Sequence, residues 1–329
     1  MSAAAADAVL ARYAEVRSLD RWKTDSFMHA GLESFERVHG LFNGVHTIIE
    51  GGQPIDLYLD LKPGLPLAVM FTGAQDRSKV LTLPAFAGMG AVPAARMSRI
   101  FVSDPTLYLA KDLTLGWYGG SADLPLQAIL PKIIGKVADY AESPQLVFGG
   151  SSGGGFASLY YSSLFPGSLA IAANPQTSLV NYYKGHVLRY ASSAFGIPSI
   201  EAAMESLPNH LFSNLIDVYK RRPNNYIVYL QNINDAFHLQ RHCHPFLEAL
   251  GLNAPEEILA AQLNSNFLLQ FENWGPGHIG PKPDYWNALL TNLLNARVPW
   301  SDLFESHSMG DLIATTLAQV RNAREGAAV

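Results

Sequence analysis

A chain of 329 residues with 48% apolar content is long enough to bury one large α/β core or two small ones. Charged residues are sparse at 16%, and 23 basic against 28 acidic side chains leave a net charge of −5, which argues against a nucleic-acid or anionic-membrane surface. The single cysteine, Cys243, excludes an internal disulfide framework. Asp7, Arg12, Glu15 and Arg17 interrupt the alanine-rich start, so a signal peptide and a membrane span are not expected, and the default is a soluble cytoplasmic protein.

In chain order, apolar positions at three- and four-residue spacing predict a helix over residues 5–18. Residues 45–50 and 55–61 read as two strands around Gly51-Gly52, a hairpin signal. The continuous apolar run 65–71, ending at Thr72-Gly73-Ala74, reads as a buried strand, and 99–103 as another. Helical periodicity over 126–140 leads into the run Leu146-Val147-Phe148, and residues 169–173 form a further buried strand ending at Asn174-Pro175. Residues 178–220 read as mostly helical, with breaks near Gly196-Ile197-Pro198 and at Pro208. Strands are expected at 226–230 and 266–271 with a helical segment, 245–261, between them, and two helices at about 285–296 and 309–324 finish the chain.

An antiparallel start followed by alternating strand and helix implies a mostly parallel sheet covered on both faces. The block 178–220 is too long for an ordinary connection and reads as a helical cap that could roof a pocket. The expected organisation is an N-terminal helical extension over 1–40, a core over 41–177 and 221–297, the cap between them, and a C-terminal helical extension over 298–329.

The chemistry concentrates where the run after Gln145 meets Gly149-Gly150-Ser151-Ser152-Gly153-Gly154-Gly155 and then the helix-like Phe156-Ala157-Ser158. This is G-x-S-x-G on a strand–turn–helix, a layout that presents a serine at a strained turn whose close neighbours must be glycine. No lysine follows the glycines, so a phosphate-cradling Walker loop does not fit. Both Ser151, between Gly149 and Gly153, and Ser152, between Gly150 and Gly154, satisfy the pattern.

A serine hydroxyl needs a base, and the base needs an orienting carboxylate; in parallel sheets both belong in loops after strands. Asp235 follows the 226–230 strand and His278 follows the 266–271 strand, within Trp274-Gly-Pro-Gly-His278. His238 is the rival base. Arg241-His-Cys-His-Pro245 lacks a matching distant ligand pair, so His242, Cys243 and His244 are assigned to packing or hydrogen bonding, and no metal is expected. The oxyanion donors expected are the backbone N–H groups of Gly153 and Ala74.

Together these residues resemble the α/β-hydrolase superfamily over roughly residues 40–297. Gly150-Ser-Ser-Gly-Gly-Gly-Phe-Ala157, Ala173-Asn-Pro-Gln176, Gln231-Asn-x-x-Asp235-x-x-His238 and Trp274-Gly-x-Gly-His278 resemble a narrower group. That group comprises bacterial proteins of surface-glycan assembly, including capsule O-acetyltransferases and the acetyltransferase of the accessory Sec export system. The resemblance implies Ser152 as nucleophile, Asp235 as acid and His278 as base. Gly153 departs from the commoner alanine after the nucleophile, and the cap carries no matching motif. The expected activity is a serine-dependent acyl-ester hydrolase acting on a small-molecule ester or glycan without a cofactor. The alternative is a carbohydrate O-acyltransferase, with an acyl-CoA as co-substrate, and a less favoured reading is an inactive binding scaffold.

Overall fold

In the computed structural model of this chain, residues 2–80, 82–252 and 260–326 are described. Their strands are β1 (Ser26–His29), β2 (Gly44–Glu50), β3 (Gln53–Asp60), β4 (Leu67–Phe71) and β5 (Ser98–Val102), then β6 (Leu146–Ser151), β7 (Leu169–Ala173), β8 (Tyr226–Asn232), β9 (Ala260–Asn264) and β10 (Phe267–Glu272). They form one sheet in the order β1-β2-β3-β5-β4-β6-β7-β8-β10-β9. From β5 to β10 every neighbouring pair is parallel. The antiparallel pairs are β2 with β3, β3 with β5, and β9 with β10. The expected mostly parallel sheet is therefore present, with helices on both sides.

Side-chain alternation along the central strands sorts the core into two layers. Val69, Phe71, Phe148, Ala170, Ala172 and Tyr229 face one layer, shared with the helices Leu126–Tyr140 and Gly153–Ser162. Ala68, Met70, Val147, Ile171, Val228 and Leu230 face the other, covered by the helices Pro283–Ala296, Trp300–Glu305 and Ser308–Gly326.

Register brings the strand ends into line: Phe71 pairs with Gly150, Ser151 with Ala173, Ala173 with Leu230, and Asn232 with Glu272. The loops after β4, β6, β7, β8 and β10 consequently open on one edge. The chain leaves β4 towards β5 on one side and crosses back to β6 on the other, a topological switch point of the kind where parallel sheets hold ligands.

Several expectations are corrected. The first helix is Ala3–Ala11, not 5–18; beyond it Arg17 reaches Asp56 Oδ1 at 2.7 Å in a buried ion pair that turns the chain onto the sheet. Residues 1–40, expected as helical, also contribute β1, which pairs with β2. The helix expected over 245–261 is Pro-containing His244–Ala249; residues 253–259 lie outside the described part, and Ala260 and Ala261 belong to β9. Pro208 lies inside the helix Ile200–His210 and does not break it.

The 178–220 block comprises the helices Lys184–Phe195, Ile200–His210 and Leu215–Tyr219. Its Val187, Tyr190, Ala191, Ala203, Leu207 and Leu215 join the same apolar cluster as the helix Gly153–Ser162. Tyr219 donates its hydroxyl to the Leu159 carbonyl of that helix at 2.8 Å. The block is thus rooted in the core as well as covering it.

Candidate active site

Glycine is required around the turn because backbone crowds in from every side. A Cβ on Gly150 would come within 2.5 Å of the Gly154 carbonyl oxygen, and one on Gly154 within 2.6 Å of the Phe71 carbonyl oxygen. Of the two serines, Ser151 ends β6 in regular strand, whereas Ser152 sits at φ 58°, ψ −120°, in the left-handed half of backbone space. Ser152 is also the residue directly before the helix Gly153–Ser162, so the elbow turns at Ser152.

Gly153 opens that helix. A Cβ there would fall 2.4 Å from Leu115 Cδ1, the end of a side chain that can turn aside, and 3.4 Å from the Trp117 ring. The loop after β4 lies against the serine: a Cβ on Gly73 would sit 3.4 Å from Ser152 Cβ. Ala74, the expected second oxyanion donor, is the next residue along that loop and is exposed.

Asp235 and His278 are brought together from the loops after β8 and β10, with His278 Nδ1 2.5 Å from Asp235 Oδ2. Two asparagines make this possible. Asn232 donates its side-chain amide to the carbonyls of Gly275 (2.9 Å) and Gly277 (2.7 Å), and Asn174 donates to the Ile279 carbonyl at 3.0 Å, fixing the loop that carries His278. Asn174 Oδ1 also accepts the Asn232 backbone N–H at 2.6 Å.

The rival base, His238, is in the same cluster. Its Nδ1 lies 3.0 Å from Asp235 Oδ1, and its backbone N–H donates to the same oxygen at 3.2 Å, because Asp235 caps the short helix Ala236–His238. Burial disfavours the charge on Asp235, but the hydrogen bonds from His238 and His278 outweigh it and hold the carboxyl well below its usual range. His238 is lowered by burial, which outweighs its attraction to Asp235, and His278 beside it adds to the lowering.

Among the described residues, the side chain that hydrogen-bonds Ser152 Oγ is Gln176, through Nε2 at 2.7 Å, and not His278. Gln176, Asn174 and Asn232 lie within the sequence motifs Ala173-Asn-Pro-Gln176 and Gln231-Asn-x-x-Asp235, which by themselves assign them no role. Their positions directly after β7 and within β8, on the same sheet edge, were the available signal.

Asp235, His238 and His278 offer three ligand atoms within 4.8 Å of one another. Both imidazoles aim Nδ1 at the carboxylate at hydrogen-bond length, the arrangement of an orienting carboxylate. The His-Cys-His segment does not converge. His242 is buried beside His238, with ring centroids 5.2 Å apart, whereas His244 is exposed. Burial pushes the Cys243 thiol up to about 12, which keeps it protonated and unreactive.

No family model and no curated protein matches the chain. Solved structures do. A chain of the Glycosylation Associate Protein complex from Streptococcus agalactiae aligns with 70% of this chain and 42% of its own, at 14% identity and TM-score 0.51. The capsule O-acetyltransferase of Neisseria meningitidis serogroup A aligns over 69% of this chain and 88% of its own, at 13% identity and TM-score 0.46. An S-formylglutathione hydrolase from Agrobacterium tumefaciens aligns over 74% and 88%, at 13% identity and TM-score 0.45. The chain has the α/β-hydrolase fold. At 14% identity the likeness to the first of these structures carries fold and not activity. No helix among the described residues is long and apolar enough to cross a membrane.

Proposed function

We propose that the protein is a serine-dependent acyl-ester hydrolase, with Ser152 as nucleophile, His278 as general base and Asp235 as the carboxylate that orients it. The observation that carries this reading is the Asp235–His278 pair, 2.5 Å apart, on the sheet edge where the strained Ser152 turn also sits.

Ser152 Oγ attacks the acyl carbonyl while His278 Nε2 takes its proton, and Asp235 stabilises the imidazolium. The backbone N–H groups of Gly153 and Ala74 are proposed to receive the developing oxyanion. Collapse expels the alcohol, which takes the proton back from His278. Water, deprotonated in turn by His278, attacks the acyl carbon; the C–Oγ bond breaks, Oγ takes the proton from His278, and the acid is released.

An O-acyltransferase reading has one observation of its own. Tyr183, 50% exposed, stacks on Phe237 with ring centroids 4.1 Å apart, and Phe237 lies next to His238 in the Asp235 helix. A flat, half-exposed aromatic face suits a sugar ring as acyl acceptor. The test is acyl release from a short-chain ester and from acetyl-CoA, each with and without an oligosaccharide acceptor. Release independent of the acceptor supports the hydrolase; acceptor-dependent turnover with acetylated sugar as product supports the transferase.

A further inference from the structure

Gln176 is fully buried, and each end of its amide has a defined partner. Trp117 Nε1, which can only donate, lies 2.7 Å from Gln176 Oε1. That contact fixes the amide orientation and leaves Nε2 as the end 2.7 Å from Ser152 Oγ and 3.4 Å from His238 Nε2. Because Asp235 is ionised, His238 carries its proton on Nδ1, towards the carboxylate. Its Nε2 is then a bare acceptor. Burial and the adjacent His278 both keep that imidazole neutral.

Trp117 is itself over-determined. It and Tyr118 occupy left-handed backbone conformations, φ 52° and 56°. The buried carboxylate of Asp104 accepts the Tyr118 and Thr106 backbone N–H groups, each at 3.0 Å. A Cβ on Gly116 would come within 2.5 Å of Thr106 Cβ, so the turn is pressed against the 3₁₀ turn Pro105–Tyr108. Strain of this kind persists where surrounding structure enforces it, and it clusters at functional sites.

We propose that Gln176 is a positioning residue for the nucleophile, donating one amide N–H to Ser152 Oγ and the other to His238. The inference rests on the reading of Ser152 as nucleophile. Asp235, which holds the proposed base His278, is then also linked to the serine through a buried arm, His238–Gln176. By occupying a lone pair of Oγ, Gln176 sets the hydroxyl rotamer and leaves its single proton for His278. The same N–H serves the second half of the reaction. When water attacks the acyl-enzyme, the acyl C–Oγ bond breaks with its electron pair going to Oγ. Gln176 stabilises that pair until the proton arrives from His278.

The test compares Gln176→Glu and Trp117→Phe with wild type, measuring Ser152 labelling by a fluorophosphonate and steady-state ester hydrolysis from pH 6 to 9. Glu at 176 keeps the shape and still accepts the Trp117 N–H, but once ionised it cannot donate to Oγ. The titratable group that faces position 176 is His238, and Asp235, His242, His278 and Tyr182 lie around His238 in turn. The expected result is a new ionisation: with rising pH, labelling of Gln176→Glu and its kcat for the ester both fall to on the order of 100-fold below wild type, while KM is unchanged. Trp117→Phe keeps an aromatic ring but removes the indole N–H that orients the amide, and should slow labelling and lower kcat for the ester about 10-fold at unchanged KM. It decides the matter if Gln176→Glu does not fold. Variants that match wild type across the pH range would overturn the role of Gln176 alone. A wild-type protein that takes no label at Ser152 would overturn the underlying reading, and the proposal with it.

Discussion

The imidazoles of His238 and His278 stack face to face, with centroids 3.9 Å apart and planes 10° from parallel, and both direct Nδ1 at Asp235. Two cations at that separation would repel strongly, so one carboxylate supports one imidazolium at a time. The rings are not equivalent. His238 is sealed, with Nε2 facing Gln176, whereas the His278 side chain is 38% exposed.

His278→Ala is therefore expected to lose as much kcat on a short-chain aryl ester as Ser152→Ala, several orders of magnitude, with the double variant no worse. His238→Ala should lose about 10-fold, an indirect effect of misplacing Gln176 and Asp235. Finding His238 indispensable and His278 dispensable in the same assay would reverse the assignment.

A second pair of histidines sets a pH dependence of stability. His29 Nε2 and His46 Nδ1 lie 2.9 Å apart between β1 and β2, and His46 Nε2 lies 2.9 Å from the Phe42 carbonyl oxygen. Burial, with His46 adding, lowers His29 from 6.5 to about 4, and burial lowers His242 to about 3. These folded values lie below the unfolded value, so between them the unfolded chain binds more protons. The stabilisation is complete above about 6.5 and is lost as the pH falls towards 4. Thermal melting should show Tm falling across that window, with a shallower slope in His29→Gln, where the amide can still donate to His46. Equal slopes would contradict the assignment.

Tyr183 offers a way to change substrate choice without disturbing the fold. The helices around it are rooted in the core through Val187, Tyr190 and Leu207, so removing the whole 178–220 block is expected to unfold the protein. Tyr183 itself is half exposed and stacks on Phe237. Tyr183→Ala should change stability by no more than about 1 kcal/mol while raising KM for bulky or glycan substrates more than for a small acetyl ester. Equal changes in KM for both substrates would remove the aromatic face from the binding site.

The parts of this fold that were legible in the sequence are those where burial leaves one reading open. Leu126–Tyr140 buries Ile129, Leu130, Ile133, Ile134 and Val137 at helical spacing, and Leu169–Ala173 is too short and apolar to be anything but a central strand. β1 was missed because four residues, Ser26-Phe-Met-His29, carry no clear alternation and are ordered by pairing with β2. Ala260-Ala-Gln-Leu in β9 has helical preference, which pairing with β10 overrides. Within the site, the glycines announced a serine turn but fitted two registers; the resemblance implied Ser152, and the backbone places the turn there. The Trp117–Gln176 contact joins residues 59 apart in sequence, so no local pattern could reveal it.

The central claim is that Ser152, not Ser151, is an activated nucleophile. Its most direct test is to treat wild type, Ser152→Ala and Ser151→Ala with a fluorophosphonate and locate the adduct by peptide mass spectrometry. Ser152 is at the strained turn and Ser151 in the strand before it, so the adduct is expected on Ser152 in wild type, absent from Ser152→Ala and retained in Ser151→Ala. Labelling that survives in Ser152→Ala, or that disappears only in Ser151→Ala, would contradict the assignment.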